Sequence, residues 1–226
     1  MKRANRFCPV CGRTARQFDA FGVVRRRDAK CPHCGSLERH RLLWLYLLRR
    51  TDLIGGAHKL VLHIAPERAF EHNLRPILKA RYITADVCSA GMDVRMDITD
   101  IQWPDDSFDV ILCSHVLEHV ADDRKAMREL RRVLKPTGWA VLLVPITAER
   151  TCEDPTITDP AGRLAAFGQK DHVRRYGPDY VDRLREAGFT VEVTRAEDLV
   201  PEEERVRMGL TAASGEVYCV KKSSPD

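Results

Sequence analysis

The stretch Ser107–Pro145, SFDVILCSHVLEHVADDRKAMRELRRVLKPTGWAVLLVP, decides the fold. SFDVILCSHVLEHV (107–120) starts as an apolar strand and runs on into a loop. DDRKAMRELRRVLKP (122–136) sets Met127, Leu130, Val133 and Leu134 on one face at helical spacing, and Pro136 is expected to stop the helix. GWAVLLVPI (138–146) is again strand-like. Strand, helix and strand in this order form a βαβ unit, whose right-handed crossover makes its two strands parallel.

Working outward, the alternation continues. HKLVLHIA (58–65) reads as a strand, and PERAFEHNLRPIL as a helix broken at Pro76. ARYITADV (80–87) and VRMDIT (94–99) are a second and a short third strand, each ending at or near an acid. Downstream, residues 147–175 are polar and read as irregular. GPDYVDRLREAGF is a helix with Pro178 in its first turn, and TVEVTRAEDL (190–199) and GEVYCVKK (215–222) are strands. The charged connection PEEERVRMGLTAAS reads as a loop that lets the last strand enter antiparallel. The expected fold class is α/β: a Rossmann-like, doubly wound sheet of seven strands with helices on both faces.

The 226 residues suit one medium domain plus a small module. The chain is 44% hydrophobic and 31% charged, and no apolar run approaches the roughly 20 residues of a membrane span. MKRANRFCPVCG has positive charge but no apolar core, so no secretory signal is expected there. These features point to a cytoplasmic, reducing setting without membrane partners, in which eight cysteines need not form disulfides.

Four of those cysteines stand apart. CPVCG and CPHCG place Cys8, Cys11, Cys31 and Cys34 in a C-x2-C…C-x2-C array with nineteen residues between the pairs. Two thiolates two residues apart reach one ion from a tight turn, and Gly12 and Gly35 let each turn close. Two such turns complete a tetrahedral shell with no open position, so a structural zinc is expected. The metal substitutes for a core that so short a segment cannot build. Cys88, Cys113, Cys152 and Cys219 read as ordinary cysteines of the main domain.

Three segments follow: a zinc ribbon over 1–35, a connecting helix over 36–57 and a main domain over 58–226. The helix, SLERHRLLWLYLLRR, has Ser36 as its expected N-cap, is apolar nearly all round, and is closed by Gly55–Gly56. Residues 1–50 hold thirteen Lys/Arg against three Asp/Glu, a balance of +10; the rest holds twenty-four against thirty, −6. A basic module of this kind could dock RNA, or could present a solvated basic face.

The block FDVILCSHVLEH followed by LRRVLKPTG resembles the fourth strand, helix and fifth strand of class I S-adenosylmethionine (SAM)-dependent methyltransferases of the type 11 kind. The likeness covers about residues 58–222 and leaves the cysteine array outside it. It implies SAM as cofactor. Asp86, followed by Val87, would take the ribose hydroxyls. Asp97 would face the adenine amino group, with Ile98 beside the ring and Asp93 and Asp100 as neighbouring acids. Ser114 and His115 would line the methionine side.

The first loop departs from the family's pattern of acid-x-Gly-x-Gly. His63, Ile64, Ala65, Pro66 and Glu67 stand there, without a glycine. Ala65 is the smallest residue that carries a Cβ, Pro66 suits a first helical turn, and Glu67 could meet the cofactor's ammonium group. His63 reads as a packed strand histidine.

For the acceptor, GQKDHVRRYG (168–177) supplies Asp171 and His172 as a candidate catalytic pair, and an arginine there could hold an acidic substrate. His119 is a second candidate base. The asparagine-proline-proline-tyrosine signature of nucleobase amino methylation is replaced by CSHV (113–116), which favours a small-molecule acceptor. RNA docking through residues 1–50 and a non-catalytic binding protein are the alternatives.

Overall fold

A computed structural model describes residues 5–22, 24–55, 58–88 and 91–223. Gly56, expected to help close the connecting helix, lies outside them. The N-terminal strands are β1 (Arg6–Cys8), β2 (Arg13–Ala15), β3 (Asp19–Phe21) and β4 (Arg26–Lys30), followed by α1 (Glu38–Arg50). Then come β5 (Val61–Ile64), α2 (Arg68–Leu78), β6 (Tyr82–Asp86), β7 (Val94–Arg95), β8 (Phe108–Ser114), α3 (Asp123–Val133) and β9 (Leu134–Leu143). The last elements are β10 (Cys152–Glu153), α4 (Pro160–Phe167), β11 (Arg174–Arg175), α5 (Tyr180–Glu186), β12 (Phe189–Thr194), α6 (Ala196–Leu199), α7 (Glu202–Met208) and β13 (Val217–Lys222).

The chain divides into two compact units. One holds residues 59–66, 80–192 and 218–226 and carries most of a seven-stranded sheet of order β12-β13-β9-β8-β5-β6-β7. β5 is parallel to β6 and β8, β6 to β7, and β8 to β9. β13 is antiparallel to β9, as the charged connection before it led us to expect. This is the expected Rossmann-like sheet of seven strands. β5 is buried along its whole length, which is why it reads as an unbroken apolar run rather than an alternating one. Its His63 is buried and hydrogen-bonds the Tyr82 hydroxyl at 2.6 Å, a packed strand histidine. Met127, Leu130 and Val133 of α3 are fully buried, while Leu134 already belongs to β9. Tyr180 stacks edge-on against Tyr176 and Tyr218, and its hydroxyl donates to the Leu142 carbonyl at 3.1 Å.

The other unit holds residues 1–58, 67–79 and 193–217, so α2, α6 and α7 cluster with the cysteine-bearing segment. Its centre is Arg41 of α1, which is fully buried. The guanidinium donates to the carbonyls of Ala29, Ser36 and Gly209 at 3.0–3.1 Å and lies 4.4 Å from the Phe18 ring centroid. One side chain thus joins the β4 turn, the second cysteine knuckle and the end of α7. Trp44 and Phe70 pack at 6.0 Å, and Asn73 donates to the Val10 carbonyl at 3.0 Å, tying α2 to the same segment.

Several local expectations are corrected. α2 runs through Pro76 to Leu78 without a break. Residues 147–175 contain a helix, α4, with Asp159 capping the Gly162 amide at 2.8 Å, Pro160 opening it and Gly168 closing it in the left-handed conformation. α7 replaces most of the expected charged loop: Glu202, Glu203 and Glu204 sit at its positive end and Arg205 and Arg207 at its negative end. The sixth strand stops at Thr194, because the Asp198 carboxylate accepts the Arg195 amide at 2.7 Å and starts α6. The third strand is only Val94–Arg95, so Asp97 and Ile98 follow it on irregular backbone.

Candidate functional site

In the unit of residues 1–58, 67–79 and 193–217, the first in chain order, the four predicted cysteines converge, with their sulfurs all within 4.8 Å of one another. Cys8 and Cys34 are 3.6 Å apart, and Cys11 and Cys31 3.9 Å. Each knuckle closes through the expected glycine: Gly12 N–H donates to the Cys8 carbonyl and Gly35 N–H to the Cys31 carbonyl, both at 2.9 Å. The φ angles there, +68° and +74°, are ones that residues with a Cβ rarely adopt. The Cys8 thiol, hydrogen-bonded to Cys34, pulls Cys34 down to about 4, and the same contact together with burial raises Cys8. A thiolate is therefore already favoured among four sulfurs spaced for one tetrahedral ion, and the donor set fits a closed zinc shell. Of the other cysteines, Cys113 and Cys219 are buried and Cys88 and Cys152 exposed.

Ser36 does not cap α1. Its hydroxyl lies 3.1 Å from Cys8 Sγ and 3.2 Å from Cys34 Sγ, and it is wholly buried. The helix starts one residue later: Leu37 is the N-cap, and His40 at the third position accepts the Leu37 amide on Nδ1 at 3.0 Å. That bond leaves the His40 proton on Nε2, facing Glu67 Oε1 at 3.1 Å, with Arg39 3.8 Å from the same oxygen. Glu67, read from sequence as a partner for a ligand's ammonium, is thus bonded within the first unit.

In the second unit the strand order reverses between β5 and β8, whose carboxyl ends form the topological switch point of the sheet. Both strands end in strained backbone. Ala65 follows β5 at φ +45°, and His115 follows β8 at φ +56°. The left-handed region costs a residue with a Cβ roughly 1–2 kcal/mol. Ala65 therefore adopts the conformation that a loop glycine would adopt, pinned by its amide donating to the Ala85 carbonyl at 2.8 Å. Pro66 follows it at the surface margin.

Asp86 ends β6 and accepts the Cys88 amide at 2.8 Å, with Val87 exposed beside it. Asp97 is exposed, and one of its oxygens accepts the Thr99 amide and hydroxyl, both at 2.8 Å. Ile98 and Ser114 are buried. Asp93 has a structural task, bonding the Thr84 amide and hydroxyl at 2.9 and 2.8 Å.

The sequence pair Asp171–His172 does not form a dyad. The Asp171 carboxylate lies 3.3 Å from His119 Nδ1 instead, and the Asp171 carbonyl 3.2 Å from it. His172 is buried, and its ring meets His119 edge-on with centroids 4.8 Å apart. Burial pushes the His172 imidazole below the usual histidine range, which favours its neutral form. Glu118, which sequence reasoning passed over, is 1% exposed and lies 3.2 Å from His115 Nδ1. Its neighbourhood in SHVLEH was the available signal: positions i, i+3 and i+4 of one turn carry His115, Glu118 and His119.

Of the two arginines that follow His172, one is a framework residue. Arg174 is buried and donates to the carbonyls of Leu117 and Ala121, each at 2.8 Å, and to that of Val120, while pairing with Glu153 at 2.8 Å. Tyr176 is fully buried and donates to Asp123 at 2.6 Å. Both are framework residues that fasten the loop after β8 to the segment bearing His172.

Residues 64–142 match the family model Methyltransf_11, described as a methyltransferase domain; this covers β5 to nearly the end of β9. The uncharacterized methyltransferase YcgJ of Bacillus subtilis is 42% identical over 74 residues, 33% of this chain and 28% of that protein. The match therefore spans under a third of that relative's length. A SAM-dependent methyltransferase from Mesorhizobium loti superposes with a TM-score of 0.54 at 16% identity, covering 80% of this chain and 98% of its own. The 1,6-didemethyltoxoflavin-N1-methyltransferase of Burkholderia thailandensis, solved with its substrate and S-adenosylhomocysteine, gives 0.54 at 14% identity, covering 83% and 78%. At these identities the likeness is one of fold. The chain has the class I methyltransferase fold, with its family match centred on β5–β9 and a four-cysteine cluster N-terminal to them.

Proposed function

We propose that this protein is a SAM-dependent methyltransferase acting on a small-molecule acceptor. The observation that carries the reading is the pair of strained residues, Ala65 and His115, at the carboxyl ends of the two strands that flank the switch point. Strain of this kind persists where the surrounding fold enforces it, and it collects at ligand sites. In this reading Asp86, at the end of β6, accepts the ribose hydroxyls and Asp97 the adenine amino group, with Val87 and Ile98 alongside. Ser114 and His115 line the methionine side, and Ala65 and Pro66 bring backbone close to the cofactor.

Methyl transfer breaks the sulfonium S–CH3 bond, returns its electron pair to sulfur and forms a bond to an acceptor lone pair. The protein's task is alignment and exclusion of water, with a base for any proton the acceptor must lose. With no ion bound beside it, His172 is suited to that role, because burial favours its neutral form; a metal ion held by its ring would take over the task of acidifying the acceptor. The 1,6-didemethyltoxoflavin bound by the Burkholderia structural neighbour agrees with a small acceptor. The RNA-docking alternative draws on the +10 balance of residues 1–50. Four of its thirteen basic residues are engaged within the protein: Arg6 pairs with Asp28, Arg26 with Glu38, Arg49 with Glu204, and Arg41 is buried.

Calorimetry of the full chain with SAM tests the reading. Wild type should bind, Asp86→Ala should bind about 10- to 100-fold more weakly through lost charged hydrogen bonds, and Ala65→Leu should not bind while remaining folded. Absence of binding at millimolar SAM overturns the enzymatic reading. Normal binding by Ala65→Leu overturns the placement of the loop.

A further inference from the structure

The turn after β8 holds a carboxylate that the fold leaves incomplete. Glu118 is 1% exposed; its Oε1 lies 3.2 Å from His115 Nδ1, and its Oε2 has no hydrogen-bond partner among the described residues. Burying an ionised carboxylate with half of its acceptor capacity unmet is costly unless a cation completes it. Two further donors converge there. One ligand atom each from Glu118, His119 and His172 lie within 4.8 Å of one another. Donors bound to one transition ion at about 2.0–2.2 Å stand roughly 3–4 Å apart, so small side-chain rotations would close the set.

The surroundings support such a centre. Asp171 engages His119 at Nδ1, which leaves Nε2 as the ring's ligand atom, the carboxylate–histidine–metal arrangement that fixes tautomer and orientation. The Val173 amide donates to the Glu118 carbonyl at 2.9 Å, and Arg174 grips the carbonyls of Leu117, Val120 and Ala121. Both ligand-bearing segments are thus held rigidly against each other.

We propose that Glu118, His119 and His172 form a binding site for a divalent transition-metal ion, with His115 at its rim, and that the ion's open positions take an acceptor offering two adjacent oxygens. This rests on the methyltransferase reading for its role, but not for the binding of the ion. Two imidazoles and a carboxylate suit manganese, iron, cobalt, nickel or zinc better than magnesium or calcium. Three protein ligands leave positions open, unlike the closed cysteine shell. A hydroxyl bound to the ion loses its proton near neutral pH, the proton passing to solvent. The resulting alkoxide or phenolate lone pair forms the new O–CH3 bond as the S–CH3 pair returns to sulfur. The acceptor class is therefore a vicinal diol or a catechol-like pair of hydroxyls.

The test uses the full chain with its cysteine site preloaded with one equivalent of zinc. Manganese, a poor thiolate partner, is then titrated by calorimetry and followed by pulsed electron paramagnetic resonance. One equivalent should bind, with nitrogen modulation from imidazole; Glu118→Gln and His172→Ala should each weaken binding at least 10-fold, and Asp171→Asn about 10-fold. Lack of a bound manganese, lack of nitrogen modulation, or binding unchanged in folded variants overturns the site. The wild-type spectrum decides the matter even if a variant fails to fold. SAM binding measured on the same samples separates the two readings: SAM bound without manganese ends the metal site alone, and manganese bound without SAM ends the methyltransferase reading alone.

Discussion

The two side-chain clusters of this protein are built in opposite ways. The four cysteines of the first unit come from two short knuckles between Cys8 and Cys34, and their partners are their own turns. The Glu118–His119–His172 cluster of the second unit draws on residues 53 positions apart in the chain, from His119 to His172, and depends on a buried arginine to hold them. A cluster set by local turns is visible as spacing. A cluster set by crossovers is visible only once the chain has folded.

The sharpest way to break this contrast is to deny the cysteine cluster any metal, by chelation or by Cys31→Ser. Structural zinc in small modules contributes on the order of 10 kcal/mol to folding, so amide protection should collapse over β1–β4 while β5, β8 and β9 stay protected. Unchanged protection over β1–β4 would show that the cysteines are not a folding element. Next in size is Arg174→Met. It strips buried partners from Glu153 and Asp123 and from three carbonyls, and should cost about 3–5 kcal/mol in denaturant unfolding. A loss below about 1 kcal/mol would mean the His/Glu cluster is not held by this clamp.

A smaller effect is acid sensitivity of that clamp. Partial burial opposes ionisation of Glu153, but hydrogen bonds from Arg183 and Arg174 outweigh it and bring Glu153 down to about 2. A carboxyl depressed in the folded state stabilises fully above its unfolded value, near 4.5, and loses that contribution as pH falls towards about 2. Urea midpoints should therefore drop between pH 4.5 and 2, and Glu153→Gln should flatten that drop. The smallest effect falls on the first loop. Ala65→Gly releases a left-handed Cβ but frees the unfolded chain, so a net gain near 0.5 kcal/mol is expected, with SAM affinity retained. A clear destabilisation would contradict the positive φ at Ala65.

Much of this was legible in the residues themselves. The cysteine array follows from spacing and the alternating strands of the main sheet from apolar runs; the roles of Asp86 and Asp97 were expected from the family resemblance alone. Some misses were readable in hindsight: Asp159-Pro160 before Gly168, and the glutamates and arginines of α7 before Gly209, are helix signals hidden by polar composition. Ser36 was a sound N-cap on propensity, yet two sulfurs 3.1 and 3.2 Å away claim its hydroxyl.

By itself the sequence determined the order of strands and helices from β5 to β9, because strands buried on both faces appear as apolar runs and a helix with one buried face shows a 3.6-residue period. It also determined the cysteine shell, because the ligands are neighbours in the chain. Tertiary structure alone decided that Asp171 serves His119 rather than His172, that Arg174 is a buried clamp, and that Glu118 lies buried with an oxygen unmet among the described residues. Those outcomes depend on which distant segments meet and on where water is excluded, and neither is encoded in local spacing.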